Sequence, residues 1–234
     1  SISFRTEASP ETTTLSGLMA QIMSASWAAD TAFRCRTELA ELFGLDGPEG
    51  VAFTLNATHA LNIAIKSLVP PGGRVVISGY EHNAVTRPLT ALKAKVSVAG
   101  GPLFDQEAAI RAFDELIVPG VDAVICNHVS NVFGFVQPVE KVAALCRSRG
   151  VPLIVDEAHG AHFRFSDYFP VSAAQLGADV VINSVHKTLP CLTQTGVIHL
   201  CSDRVSREKL KRFLGIYQSS SPSYILMSLS LIHI

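Results

Sequence analysis

A chain of 234 residues with 48% hydrophobic and 17% charged residues is too apolar for a disordered or collagen-like polymer and long enough for one large α/β domain. Its 19 Lys plus Arg against 20 Asp plus Glu give a net charge of −1. That balance supplies no broad pull toward nucleic acid and suits a small, weakly charged ligand.

In chain order, a polar stretch at 6–16 is followed by a proline-free segment, 18–43, where Leu39, Leu42 and Phe43 recur at helical spacing before Gly44. This predicts a helix. Short apolar runs then appear at 51–55, 75–77, 123–126, 153–155 and 180–182, which suit strands buried on both faces. Between them, helices are expected over 60–68, 107–116 and 139–149, the last ended by Gly150. The rhythm is β-α-β-α, so the fold class is α/β, a mostly parallel sheet flanked by helices. The five cysteines include no C-x-x-C pair, which argues against a disulfide framework or zinc ribbon. No apolar run approaches the roughly 18 residues of a membrane span, and the first eleven residues carry Arg5 and Glu7 and no signal-peptide core. A cytoplasmic protein is expected. The first residue is not Met, and 229–234 is an apolar run that stops in mid-pattern, so the chain reads as a fragment.

In a parallel sheet, ligands collect at the carboxyl ends of the strands. Those ends carry Asn56-Ala57-Thr58-His59, Glu81-His82-Asn83, Asn127-His128-Val129-Ser130-Asn131, Asp156-Glu157-Ala158-His159 and Asn183-Ser184-Val185-His186-Lys187. Thr58 stands where a helix starting near Ala60 would turn free N–H groups toward an anion such as a phosphate. Asp156, at a buried strand end, suits a charge-assisted hydrogen bond to a pyridinium, and Lys187 suits a Schiff base. Those are the protein's main tasks toward pyridoxal 5'-phosphate.

From about Phe53 onward the chain resembles the fold-type-I pyridoxal-phosphate enzymes, which have the aspartate aminotransferase fold. The first half, with Phe53-Thr54-Leu55-Asn56-Ala57-Thr58-His59, Glu81-His82-Asn83-Ala84-Val85 and His128-Val129-Ser130-Asn131-Val132-Phe133-Gly134, is similar to the class V aminotransferase and cysteine desulfurase branch, although that branch usually has Glu where His59 stands. The resemblance implies that Ala57 and Thr58 cup the phosphate, His82 stacks on the ring, Asn131 reaches its hydroxyl side and Asp156 pairs with its nitrogen. It further implies that Ser184 and His186 bind phosphate beside the Schiff-base Lys187, with Lys187, Asp156 and His82 as catalytic residues and His159 among the cofactor-binding ones.

The second half departs from this branch. Asp156-Glu157-Ala158-His159-Gly160-Ala161-His162-Phe163, the stretch from Val185 through Thr195, and Gln218-Ser219-Ser220-Ser221-Pro222-Ser223-Tyr224 are similar to the ornithine/lysine/arginine decarboxylase major domain. An intermediate lineage would give this pattern, and so would two related genes joined between Asn131 and Asp156. The expected division is a helical segment at 1–45, a pyridoxal-phosphate-binding large domain at 46–205 and the start of a C-terminal region at 206–234, with the small domain missing. The expected function is a class V aminotransferase- or cysteine desulfurase-like enzyme acting on an amino acid. Basic amino acid decarboxylase is the alternative, and an inactive or truncated cofactor-binding homologue a second one. The resemblance implies a homodimer, with neither nucleic acid nor membrane as a partner.

Blander readings stand beside these. Asp156 can cap a helix, Thr58 and Ser184 can be N-caps, His82 can be a core histidine and Asn131 can shape a turn. Thr195 and Gln194 can line either the cofactor or a dimer interface. His159 and His162 have the i, i+3 spacing of metal ligands, but no H-E-x-x-H motif supports them, so no metal is expected. The chain has no Gly-Lys pair, which removes a P-loop.

Overall fold

The computed structural model describes residues 25–191 and 193–218. The first part of the expected N-terminal helix (18–24), the end of the Gln218–Tyr224 motif and the apolar segment 229–234 lie outside them.

Seven strands form one sheet in the order β1-β7-β6-β5-β4-β2-β3. They are β1 (Val51–Thr54), β2 (Arg74–Ser78), β3 (Lys95–Ala99), β4 (Ala123–Asn127), β5 (Leu153–Asp156), β6 (Val180–Ser184) and β7 (Gly196–Leu200). Strands β2 to β6 pair in parallel, whereas β7 runs antiparallel to both β6 and β1. The helices are α1 (Ala25–Phe43), α2 (Ala57–Leu68), α3 (Asn83–Ala91), α4 (Gln106–Leu116), α5 (Val139–Ser148) and α6 (Arg207–Tyr217).

Alternation along the central strands explains the layering, because successive side chains leave opposite faces of a sheet. Ile125, Ile154 and Ile182 face one side and pack with Leu61, Ile63 and Ile65 of α2, Val85 and Leu89 of α3 and Leu210 of α6. Val124, Leu153, Val155 and Val181 face the other, against Phe113 and Ile117 at α4 and Val142 and Cys146 of α5. Each such large side chain, once fully buried, contributes about 1.5–3 kcal/mol. A third cluster seats Leu39 and Phe43 of α1 on Val51, Val185 and Val197.

Two strands and two helices go beyond the sequence expectation. The edge strand β3 leaves Val96 and Val98 exposed, and β7 interrupts its apolar run with His199. Helix α3 contains Pro88, a residue that ordinarily ends a helix. Helix α6 opens on a charged stretch but sends Leu210 into the same core as α2. The expected helix over 60–68 begins three residues earlier, at Ala57, because Asn56 caps it.

The arrangement brings polar strand ends to one edge. Asn127 of β4 lies directly opposite Asp156 of β5, and Ser184 of β6 lies opposite Gly196 of β7.

Candidate active site

The turn from β1 into α2 is built by side chains that cap it. Asn56 Oδ1 accepts the N–H of His59 at 2.8 Å, and the Asn56 carbonyl accepts that of Ala60. The N–H groups of Ala57 and Thr58 stand in the first turn, where no helical carbonyl can reach them, and the positive end of the helix dipole lies there too. The turn sits tightly on β7: a Cβ added to Gly196 would lie 2.4 Å from the Asn56 carbonyl carbon. Only a glycine permits that approach. His59 fastens this end of α2, its Nδ1 accepting the Leu55 N–H at 3.3 Å and its Nε2 lying 3.1 Å from the Tyr217 carbonyl at the end of α6.

A cavity opens beside that turn. Its wall includes Ala57, Thr58, His82, Asn131, Asp156, His159 and Lys187. Seven of the nine cofactor residues expected from the sequence therefore meet around one space. Ser184 and His186 are not part of this lining. They face each other, Ser184 Oγ 3.5 Å from His186 Nε2, while His186 Nδ1 accepts the Thr195 N–H at 3.3 Å. Their place is at the end of β6, across from Gly196 and thus behind the α2 turn.

Asp156 is 8% exposed and accepts the Ala158 N–H at 3.0 Å. Burial raises its pKa above the usual carboxylate value, opposed by that hydrogen bond and by the charges of Lys187 and His82. A carboxyl so desolvated gains from a cationic partner brought into the cavity. Lys187, on the 3-10 turn after β6 (Val185–Lys187), places its Nζ 3.3 Å from His159 Nε2. Burial, then the charges of Lys187 and His82, depress the His159 pKa. An imidazole kept neutral in this way offers Nε2 as an acceptor for the lysine ammonium. His82 caps α3, its Nδ1 accepting the Ala84 N–H at 3.1 Å, and stands exposed at the cavity rim. Asn131 occupies the tip of a turn held by Ser130, whose Oγ accepts from the N–H groups of Val132 and Phe133.

Asn127, quoted above only as part of a strand-end stretch, lines the cavity beside Asp156. Ala158 and Gly196 were not singled out. For Ala158 the signal was a small residue two positions after a strand-end aspartate, and for Gly196 a lone glycine opening an apolar run. His162 turns away from the cavity toward Phe163 and Phe169, with ring centroids 5.1 and 4.3 Å away. No group of three or more potential metal ligands occurs among the described residues.

A mostly parallel sheet carrying a lysine, a buried aspartate, a histidine and a free helix N-terminus at its carboxyl edge defines the large domain of the fold-type-I pyridoxal-phosphate proteins. The model of the class-V aminotransferase family matches residues 12–215, and the chain belongs to that family. The match runs across both halves of the sequence. An uncharacterized protein, YaaO of Bacillus subtilis, is 32% identical over 82% of this chain and 45% of its own length. An arginine decarboxylase of Halalkalibacterium halodurans is 28% identical over 81% of the chain and 39% of its own length. The cysteine desulfurase of Thermococcus onnurineus superimposes with a TM-score of 0.64 at 25% identity, covering 75% of this chain and 44% of that one. The chain thus spans less than half the length of these relatives. Family members use pyridoxal 5'-phosphate, and the donor set fits it: a primary amine, a buried carboxyl short of a cation, and a helix N-terminus face one cavity. Among the described residues no helix is long and apolar enough to cross a membrane.

Proposed function

We propose that this chain is the cofactor-binding part of an enzyme that acts on an amino acid in the manner of the class V aminotransferases and cysteine desulfurases. The observation that carries the reading is the meeting of Lys187, Asp156 and the first turn of α2 on one cavity. Pyridoxal 5'-phosphate, when bound, supplies an aldehyde carbon for amines and a ring that accepts the electron pair left when a bond at the substrate α-carbon breaks.

The residues then divide the work. Ala57 and Thr58 hold the phosphate through their backbone N–H groups, with Ser184 and His186 completing that end from behind the turn. Asp156 holds a proton on the ring nitrogen, His82 covers one ring face and Asn131 reaches the hydroxyl side. Lys187 is the covalent anchor and afterwards moves the proton at the α-carbon, while His159 receives a hydrogen bond from its Nζ and so aims the amine.

A second reading, decarboxylation of a basic amino acid, is favoured by the relative named arginine decarboxylase, which aligns over 81% of the chain. The two differ in which bond at the α-carbon breaks, C–H or C–CO2. We place the protein in the cytoplasm as a homodimer. The five free cysteines support the first. The second is supported by an apolar groove next to the lysine turn, lined by Leu42, Phe165, Phe169, Leu189 and Pro190.

Titration of the full chain with pyridoxal 5'-phosphate should give a saturable absorbance change that Lys187→Ala abolishes and Asp156→Ala weakens at least tenfold. Unchanged binding by Lys187→Ala overturns the site. Product analysis with cysteine and with arginine separates the reactions, since carbon dioxide with an amine comes only from the second.

A further inference from the structure

Glu81 lies one residue before His82, and its carboxyl is buried between the ends of β2 and β4. Its Oε1 accepts the Asn127 N–H at 2.7 Å and stands 2.5 Å from Ser78 Oγ. Among the described residues its buried Oε2 has no hydrogen-bond partner and no ion pair reaches it.

The protons around Ser78 can be counted. Ser78 Oγ receives the Tyr80 N–H at 3.2 Å and lies within reach of two oxygens, Glu81 Oε1 and, at 3.2 Å, Asn127 Oδ1. The Asn127 amide cannot be turned over, because its Nδ2 donates to the Tyr80 carbonyl at 3.0 Å. Ser78 has one hydroxyl proton for two acceptors. An ionised Glu81 would leave one of these contacts as oxygen against oxygen and would leave Oε2 as a buried, unpaired anionic atom. A proton on Oε1 removes both faults. Glu81 then donates to Ser78, Ser78 donates to Asn127 Oδ1, and Oε1 still accepts the Asn127 N–H.

We propose that Glu81 is a positioning residue of this site and works as a neutral carboxylic acid, its proton closing a Glu81–Ser78–Asn127 chain that fixes Asn127 in the cavity wall and keeps a second negative charge away from Asp156. The groups that face it agree: Asp156 from β5 acts on it electrostatically, the buried Cys126 thiol from β4 feels its charge in turn, and neither is a cation. Burial, with Asp156 adding to it, pushes the Glu81 carboxyl up to about 8. Above that pH, Ser78 turns to the carboxylate, Asn127 Oδ1 loses its donor and the wall loosens. The inference rests on the cofactor reading for its consequence, though not for the proton itself.

The proton is tested on the cofactor-free full chain. A protonated-carboxyl infrared band at pH 7 should be present in wild type and disappear in Glu81→Gln. As pH rises from about 4.5 to about 8, wild type should lose more stability than Glu81→Gln does. Ser78→Ala removes the acceptor of the Glu81 proton, so it should shift the protonated-carboxyl band of the folded chain, and it decides the matter if Glu81→Gln does not fold. Positioning is tested by cofactor titration. Wild type should bind pyridoxal 5'-phosphate less tightly above about pH 8 than at pH 7, and Glu81→Gln should lose that alkaline weakening; a merely structural glutamate would leave the two pH profiles parallel. Absence of the band from wild type, or a band that Ser78→Ala leaves unmoved, overturns the proposal. Failure of wild type to bind the cofactor at all, with the band intact, overturns the cofactor reading instead.

Discussion

Asp156 and Glu157 are neighbours at the end of β5 and nearly equally buried, at 8% and 2% exposure, yet they stand in opposite surroundings. Asp156 faces the cavity with one hydrogen bond from the chain, from Ala158. Glu157 faces the other side of the sheet, where Oε1 accepts from the Ala173 N–H at 2.7 Å and from His128 Nδ1 at 2.8 Å, and Oε2 accepts from Ser172 and Asn183. One carboxyl has been left unfinished, and the other ties β4, β5, β6 and the loop at 172–173 together. Burial alone does not mark a functional carboxyl. What marks it is burial with lone pairs that the chain itself does not satisfy.

The largest effect that can break this comparison is expected at Glu157. Glu157→Ala strands the buried donors of Ala173, His128 and Ser172 and should cost about 3–5 kcal/mol in denaturant unfolding, as removal of one partner of a buried pair does. Asp156→Asn should leave the cofactor-free chain at least as stable as wild type at neutral pH while weakening cofactor binding. The sign follows from linkage. The folded chain holds the Asp156 proton above the pH where the unfolded chain releases it, so stability falls as pH rises through that window, and a neutral side chain removes the fall. Equal losses of stability in the two variants would erase the distinction.

His199 provides an acid counterpart away from the cavity. It is fully buried in β7, neither ring nitrogen has a hydrogen-bond partner among the described residues, and burial depresses its pKa to about 3. The unfolded chain takes up this proton below about 6.5 and the folded chain does not until about 3. Stability should therefore drop as pH falls across that interval, and His199→Leu should flatten the acid limb of a pH–unfolding profile.

Smaller effects sharpen the cavity side. Gly196→Ala forces its new methyl against the Asn56 carbonyl carbon and should cost about 1–3 kcal/mol, with a loss of cofactor affinity at least as large, read by titration. Asn56→Ala removes the cap of α2 and should cost about 1 kcal/mol, measured by thermal unfolding.

Much of this was legible in the sequence because buried parallel strands announce themselves as short apolar runs and their polar ends follow at once. Lys187, Asp156, His82 and Thr58 could be located that way before any contact was known. Strand β3 could not, since its side chains are mostly exposed, and α3 was hidden by Pro88 inside it. The chain Glu81–Ser78–Asn127 was illegible for a different reason: it depends on two strand ends 49 residues apart meeting side by side, and a linear pattern carries no proton count. His59 showed in the sequence only as the residue standing where the class V branch usually has Glu, and the contact with Tyr217 that makes it a fastener spans 158 positions.

The central claim is that the cavity at the carboxyl edge holds pyridoxal 5'-phosphate through Lys187. Its most direct test is borohydride reduction of the full chain with pyridoxal 5'-phosphate, followed by peptide mass mapping of wild type and Lys187→Ala. A reduced phosphopyridoxyl adduct on Lys187 in wild type, with none at any site in the variant, is the result predicted here. A folded wild-type chain with no adduct at Lys187, or one labelled equally in the variant, would contradict it.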